Sequence, residues 1–263
     1  MKSIFNIILF NFILSTIFSQ DIIVDNSKEY TVTNHYAKFD RYTKHGGFNN
    51  YDYVNKDLIS LPNDFPILGS TFTLEAMTFT ADKSEGLHQK IIGNKKWKGN
   101  YSQTSPNITF LNKDEIFYGF YSDGKYRMRL ARSIRKTNTW HHVAFTFDGN
   151  KARLYVDGIN VDSTSNWSGR VPDAIPIEFI GARFRGKLDE VRIWNVARTG
   201  EEIKASMESL SDMNATGLIA YYTMDTDENF KIIDRSSNAH HATIDHAEIL
   251  QEYSSNSCPE PDG

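Results

Sequence analysis

The stretch from Trp140 to Gly158, Trp-His-His-Val-Ala-Phe-Thr-Phe-Asp-Gly-Asn-Lys-Ala-Arg-Leu-Tyr-Val-Asp-Gly, constrains the fold of this chain more than any other. Val143, Phe145 and Phe147 alternate with His142, Ala144 and Thr146, the period-2 pattern of a strand whose successive side chains point to opposite faces. After Asp148-Gly149 the alternation resumes, with Leu154 and Val156 against Arg153 and Tyr155. Asp-Gly between alternating apolar runs is a strong hairpin signal, because tight turns need residues that accept positive φ. The segment predicts an antiparallel sheet with one buried and one wetter face, which is scaffold rather than catalytic machinery.

The same pattern recurs along the chain. Residues 36–40, 51–59 and 71–79 read as strands, the last with Phe72, Leu74, Ala76 and Thr78 on one face. Residues 90–93 and 107–111 are shorter strands around a loop bearing Trp97 and Tyr101. Residues 116–121 and 126–131 form a hairpin across Asp123-Gly124, and 177–181, 187–194 and 218–224 are further strands. One helix is predicted over about residues 200–210. Thr199 caps it and Glu202 completes a Thr-x-x-Glu capping box, while Ile203, Met207 and Leu210 share its apolar face. Many short strands, frequent Gly and Asn turns and one small helix predict an all-β, two-sheet antiparallel jelly-roll sandwich. No repeat or composition break falls inside residues 30–250, so residues 20–250 read as one domain, with 251–263 a polar tail or linker.

Residues 1–19 read as a secretory signal peptide: Lys2 supplies the basic start, an apolar run follows, and Ser19 suits the cleavage position. The run is short for a membrane span, and no second one exists. The expectation is a secreted, extracellular, periplasmic or cell-surface protein with no stable span after cleavage. Cys258 is the one cysteine, so no intramolecular disulfide can form, and stability must come from the core, with a bound ion as an additional candidate. A formal charge of −4 gives no reason to expect a nucleic-acid partner.

Three segments resemble the laminin-G-like, concanavalin A-like jelly-roll family, a pentraxin-related group. They are Trp140 to Gly149 with Leu154 to Gly158; Gly186-Lys-Leu-Asp-Glu-Val-Arg-Ile-Trp-Asn195 with the capped helix; and Gly217-Leu-Ile-Ala-Tyr-Tyr-Thr-Met-Asp225 with Asp234-Arg-Ser-Ser-Asn238. The resemblance implies lectin-like or adhesive binding and a structural Ca²⁺. The ion would be held by Asp40 and Asp189, with backbone carbonyls of residues 41–47. It would tie an early loop to a late strand. Arg41, Lys44 and the length of that loop depart from the family pattern.

Catalysis has no support at this level. A glycosidase needs two carboxylates flanking the scissile bond. Asp189 and Glu190 are adjacent, so regular alternation sends them to opposite faces, and no nucleophile, metalloprotease or phosphate-loop motif occurs. The paired histidines 141–142 and 240–241 read as solvated or hydrogen-bonded side chains rather than metal ligands.

Sugar binding uses aromatic faces and planar polar groups. Trp97, Tyr101 and Trp167 are the candidate exposed aromatics, whereas Trp140 and Trp194 read as core. Arg127, Arg129, His142, Arg153 and Tyr155 are expected on the non-core side of adjacent hairpins. The candidate ligand-binding set is thus Trp97, Tyr101, Arg127, Arg129, Tyr155 and Trp167. The reading is a secreted, non-catalytic module for a glycan or glycoprotein surface. The rivals are a protein–protein adhesion module and, behind it, a polysaccharide hydrolase or lyase.

Overall fold

The computed structural model describes residues 30–39, 57–80, 88–94, 104–111, 114–132 and 136–255. Asn34–Glu252 form one compact unit. Of the other, Met1–Thr33 with Tyr253–Gly263, the described residues are the outer ends of two strands. The predicted signal peptide, Cys258 and the tail beyond residue 255 lie outside the described residues.

The strands in chain order are β1 (Tyr30–Phe39), β2 (Leu58–Ser60), β3 (Phe72–Thr80), β4 (Gln89–Gly93), β5 (Asn107–Phe110), β6 (Glu115–Ser122), β7 (Lys125–Arg132) and β8 (Trp140–Phe147). They continue with β9 (Ala152–Val156), β10 (Ile159–Thr164), β11 (Phe179–Ile180), β12 (Gly186–Trp194), β13 (Leu218–Thr226), β14 (Lys231–Asp234), β15 (Ala242–Asp245) and β16 (Glu248–Ser255). One helix, α1 (Gly200–Ser206), falls between β12 and β13. Hydrogen bonding follows the path β10-β9-β8-β3-β12-β13-β14-β15-β2-β11-β4-β5-β6-β7, and β1 pairs with β12. Every strand pairing on this path is antiparallel, and the path folds back on itself as the two layers of the expected jelly-roll sandwich.

Alternation decides which side faces in. Phe72, Leu74 and Ala76 of β3, Val143, Phe145 and Phe147 of β8, and Val191 and Ile193 of β12 join Ile108, Ile116, Tyr118 and Phe120 from the other layer in one core. The two ends of the path also meet. Arg129 of β7 forks onto Asp162 of β10 through Nε and Nη2, both at 2.7 Å, and the Tyr118 hydroxyl donates to the same carboxylate at 2.8 Å.

The turns follow their residues. Asp123-Gly124 and Asp157-Gly158 have positive φ at both positions, which matches a two-residue turn to the twist of its strands. The first joins β6 to β7 with Ser122 opposite Lys125, and the second joins β9 to β10 with Val156 opposite Ile159. The Asp148 turn is wider: Phe147 faces Ala152, and the Asp148 carboxylate accepts from the N–H groups of Asn150 and Lys151.

The capping box forms as predicted, with Thr199 Oγ1 accepting from Glu202 N and Glu202 Oε2 accepting from Thr199 N. The helix is shorter than expected and ends at Ser206. It buries Ile203 against Ala144 and Tyr155, while Leu210 packs with Trp194, Leu218 and Tyr221 beyond its end. The expected wetter face of β8 is therefore covered: His142, Ala144 and Thr146 are all buried.

Candidate functional site

The face under α1 carries charges where an amphipathic sheet would carry solvated polar groups. Glu75 of β3 sits opposite Ala144 and Arg192. Its Oε1 accepts from Trp194 Nε1 and from Arg198 Nη1, each at 2.7 Å. His142 Nε2 lies 3.3 Å from Oε2, and Arg192 Nη1 lies 3.8 Å from Oε1. Burial opposes ionisation of Glu75 most strongly. His142, Arg192 and Arg198 outweigh it together and hold the carboxyl down to about 2. Arg198 also donates to the Glu202 carbonyl and Ser206 Oγ, so one carboxylate ties the helix segment to the sheet.

A bulge changes the expected faces of the neighbouring acids. Between Asp189, opposite Met77, and Arg192, opposite Glu75, β12 has one residue more than β3, and Glu190 takes φ 51°. Asp189 and Glu190 consequently join one polar cluster rather than opposite faces. Glu190 Oε2 accepts from the Tyr221 hydroxyl at 2.6 Å and pairs with Arg192. Asp189 Oδ1 accepts from Glu190 N at 2.7 Å and Oδ2 from Asn34 Nδ2 at 2.9 Å. Burial, against the Asn34 hydrogen bond and reinforced by the charge of Glu190, pushes the Asp189 carboxyl up to about 7.

The sign for stability follows. A carboxyl raised in the folded state contributes stability that is present below its unfolded value and lost as pH rises through 7. Asp189→Asn mimics the protonated form. Melting curves of the metal-free protein, recorded in EDTA across pH, are expected to show the variant more stable than wild type at pH 8 and equal to it near pH 4. A wild-type pH profile matched by the variant throughout would rule this out.

At the other end of the same outer face, four adjacent strands build an aromatic box. Phe79 of β3 lies opposite both Trp140 of β8 and Lys187 of β12. Trp140 meets Phe79 at 5.6 Å and Tyr36 of β1 at 6.0 Å between ring centroids, edge to face. The Lys187 ammonium sits 4.0 Å from the Tyr36 centroid and 5.0 Å from that of Phe79. Trp140, Phe79 and Lys187 are half-buried, so the box keeps an open side. The sequence reading puts Trp140 in the core, whereas the structure leaves it half-buried on the outer face. Its parity was legible, because it shares the phase of His142 rather than that of Val143.

The remaining candidates scatter. Trp167 is not exposed: it is 5% accessible and packs on Tyr118 and Phe120, so it fills the core. Tyr155 does leave the core side, but Ile203 of α1 covers it. Arg127 and Arg129 lie opposite Phe120 and Tyr118, and thus on the core-facing side of β7 rather than the expected outer side. Arg129 is held by Asp162 at the rim, and Arg127 lies 3.9 Å from Asp123. Arg153 pairs with Asp148 at 2.6 Å. Trp97, Tyr101 and Asp40 lie outside the described residues; in the chain, Trp97 and Tyr101 belong to the β4–β5 connection.

Strands β2, β11 and β4 to β7 carry one acidic residue, Glu115, which lies 3.4 Å from Arg132. Among the described residues no group of three or more His, Cys, Asp or Glu is arranged to hold a metal. Asp189 is the one predicted calcium ligand described, and both its oxygens accept hydrogen bonds. No described helix is long and apolar enough to cross a membrane.

Residues 50–204, more than half of the chain, match the Laminin_G_3 family, described as the concanavalin A-like lectin/glucanases superfamily. The chain belongs to this family. It is similar to pappalysin-1 of Mus musculus, with 30% identity over 79 residues, 27% of this chain and 5% of that protein. It also resembles a solved structure from Bacteroides ovatus ATCC 8483, provisionally named a carbohydrate binding protein. The TM-score is 0.60 at 24% identity, covering 86% of this chain and 62% of the other. The chain thus spans a small part of the first relative and under two thirds of the second.

Proposed function

We propose that this chain is a secreted, non-catalytic module that binds carbohydrate on glycans or glycoprotein surfaces. The observation that carries this reading is the half-open box of Trp140, Phe79 and Tyr36 around the Lys187 ammonium. Aromatic faces stack on the apolar C–H side of a sugar ring, and an ammonium donates to its oxygens or to an acidic substituent. The box stands on strands rather than loops, so its geometry is fixed before a ligand arrives. The Trp97–Tyr101 segment, with its lysines, is a second candidate element from the sequence.

A glycan array followed by titration of a hit tests the reading. Trp140→Ala is expected to weaken binding at least tenfold while leaving the circular dichroism spectrum unchanged. Trp97→Ala, measured beside it, reports the contribution of the β4–β5 connection. Wild-type affinity in both variants would remove both elements from the site.

One observation favours protein–protein adhesion as the second reading. Met128 and Leu130 project from β7 with 41% and 42% of their surface exposed, on the side away from the core. An empty array, with saturable binding to a protein surface lost in Met128→Glu, would move the function there.

Calcium belongs to the proposal too. Asp40 and carbonyls of residues 41–47 would hold it with Asp189, which would exchange its present hydrogen bonds for the cation. A ligand bound by the native state alone raises the melting temperature by mass action. EDTA is expected to lower the melting temperature of wild type and to leave that of Asp189→Ala unchanged. No calcium in metal analysis and no EDTA effect would remove the ion.

A further inference from the structure

Hydrogen-bond accounting beneath α1 leaves a remainder. Glu75, His142 and Arg192 are at most 1% exposed, and all three side chains share one face across β8, β3 and β12. Glu75 Oε1 is fully engaged by Trp194 and Arg198, but Oε2 accepts no hydrogen bond. Both ring nitrogens of His142 are without a hydrogen-bond partner, as are Nε and Nη1 of Arg192. The contacts between them, 3.3 Å from His142 Nε2 to Glu75 Oε2 and 3.8 Å from Arg192 Nη1 to Glu75 Oε1, lack hydrogen-bond geometry. Thr146 Oγ1, on the same face one pair further along, is also unbonded.

Buried polar groups are almost always satisfied, because a buried donor or acceptor left without a partner loses its hydration and gains nothing in return. Here the unmatched groups are of both kinds. Arg192 Nε and Nη1 donate, Glu75 Oε2 accepts, and the Thr146 hydroxyl can do both. A halide or phosphate would satisfy the donors only, and a metal cation the acceptors only. A small neutral molecule that both donates and accepts fits this set. We propose that Glu75, His142 and Arg192 form a site for internal water, held between β3, β8 and β12 under the helix segment. Such a water makes about three hydrogen bonds and is part of the native structure rather than of its solvent shell.

A high-resolution crystal structure of the whole chain tests this directly. The expected result is an ordered water within hydrogen-bonding distance of at least two of Glu75 Oε2, a His142 ring nitrogen, and Arg192 Nε or Nη1. Direct side-chain hydrogen bonds closing the gap, with no solvent peak, would overturn the proposal. A bromide anomalous peak in the same position would overturn it as well, by making the site an anion site. Water-oxygen relaxation dispersion gives a second readout in solution. His142→Leu is expected to lose at least one long-lived water relative to wild type, and an unchanged number in a folded variant would count against the site. Should that variant not fold, the wild-type crystal decides alone.

Discussion

Glu75→Ala is expected to destabilise the protein by about 3–5 kcal/mol, the usual consequence of removing one partner from a buried ionic cluster. The loss does not equal the worth of the ion pairs. It arises because Arg192, which is fully buried, and Arg198 would keep their charges without the carboxylate that balances them. Trp194 Nε1 would lose its acceptor at the same time. Denaturant titration at pH 7 measures the effect, and a midpoint equal to wild type would show that the cluster is not the hub described. The charge also has a pH signature. The Glu75 carboxyl is held down to about 2, so its contribution is present above its unfolded value and is lost as pH falls through 2. Glu75→Gln, which does not titrate, should lack that acid limb.

Phe145→Ala is expected to cost about 3–5 kcal/mol through the cavity it opens. Phe145 is fully buried, and its ring meets those of Phe72 and Tyr118 at 5.0 Å each, from both layers of the sandwich. Adjacent strands hold their backbones by hydrogen bonds and cannot collapse freely into the space. A melting temperature within a degree or so of wild type would mean that the site relaxes and the cavity closes. The two losses differ in kind, since one unbalances charge on the outer face and the other removes packing between the layers.

Much of the frame was legible in the sequence because it rests on short-range rules. Alternation gave the buried set of β3 and β8, two Asp-Gly pairs gave their turns, and Thr199 with Glu202 gave the helix start. What was missed rests on long-range partners. Strands β14 and β15 are short and weakly patterned, and they exist because Ile232 pairs with Ala242 and Thr243 with Ser60. The bulge at Glu190 left no mark in residue type, because Glu is not a residue that favours positive φ. The covering of Ala144 and Tyr155 depends on where α1 lands, and alternation says nothing of a third layer. The aromatic box combines Tyr36, Phe79, Trp140 and Lys187 from four strands. Only the parity of Trp140 hinted that one of them pointed outward.

The order of strands has a kinetic consequence. Strand β3 lies between β8 and β12, and β2 lies between β15 and β11, so early strands find their neighbours late in the chain. Sheets dominated by such distant pairings fold slowly, over milliseconds to seconds, because the entropy of closing long loops is lost before the contacts repay it. During synthesis the central strand β3 must wait for residues 186–194 before its second edge is covered. A hairpin such as β6–β7 can form as soon as it emerges, whereas the layer that carries the aromatic box is assembled near the end.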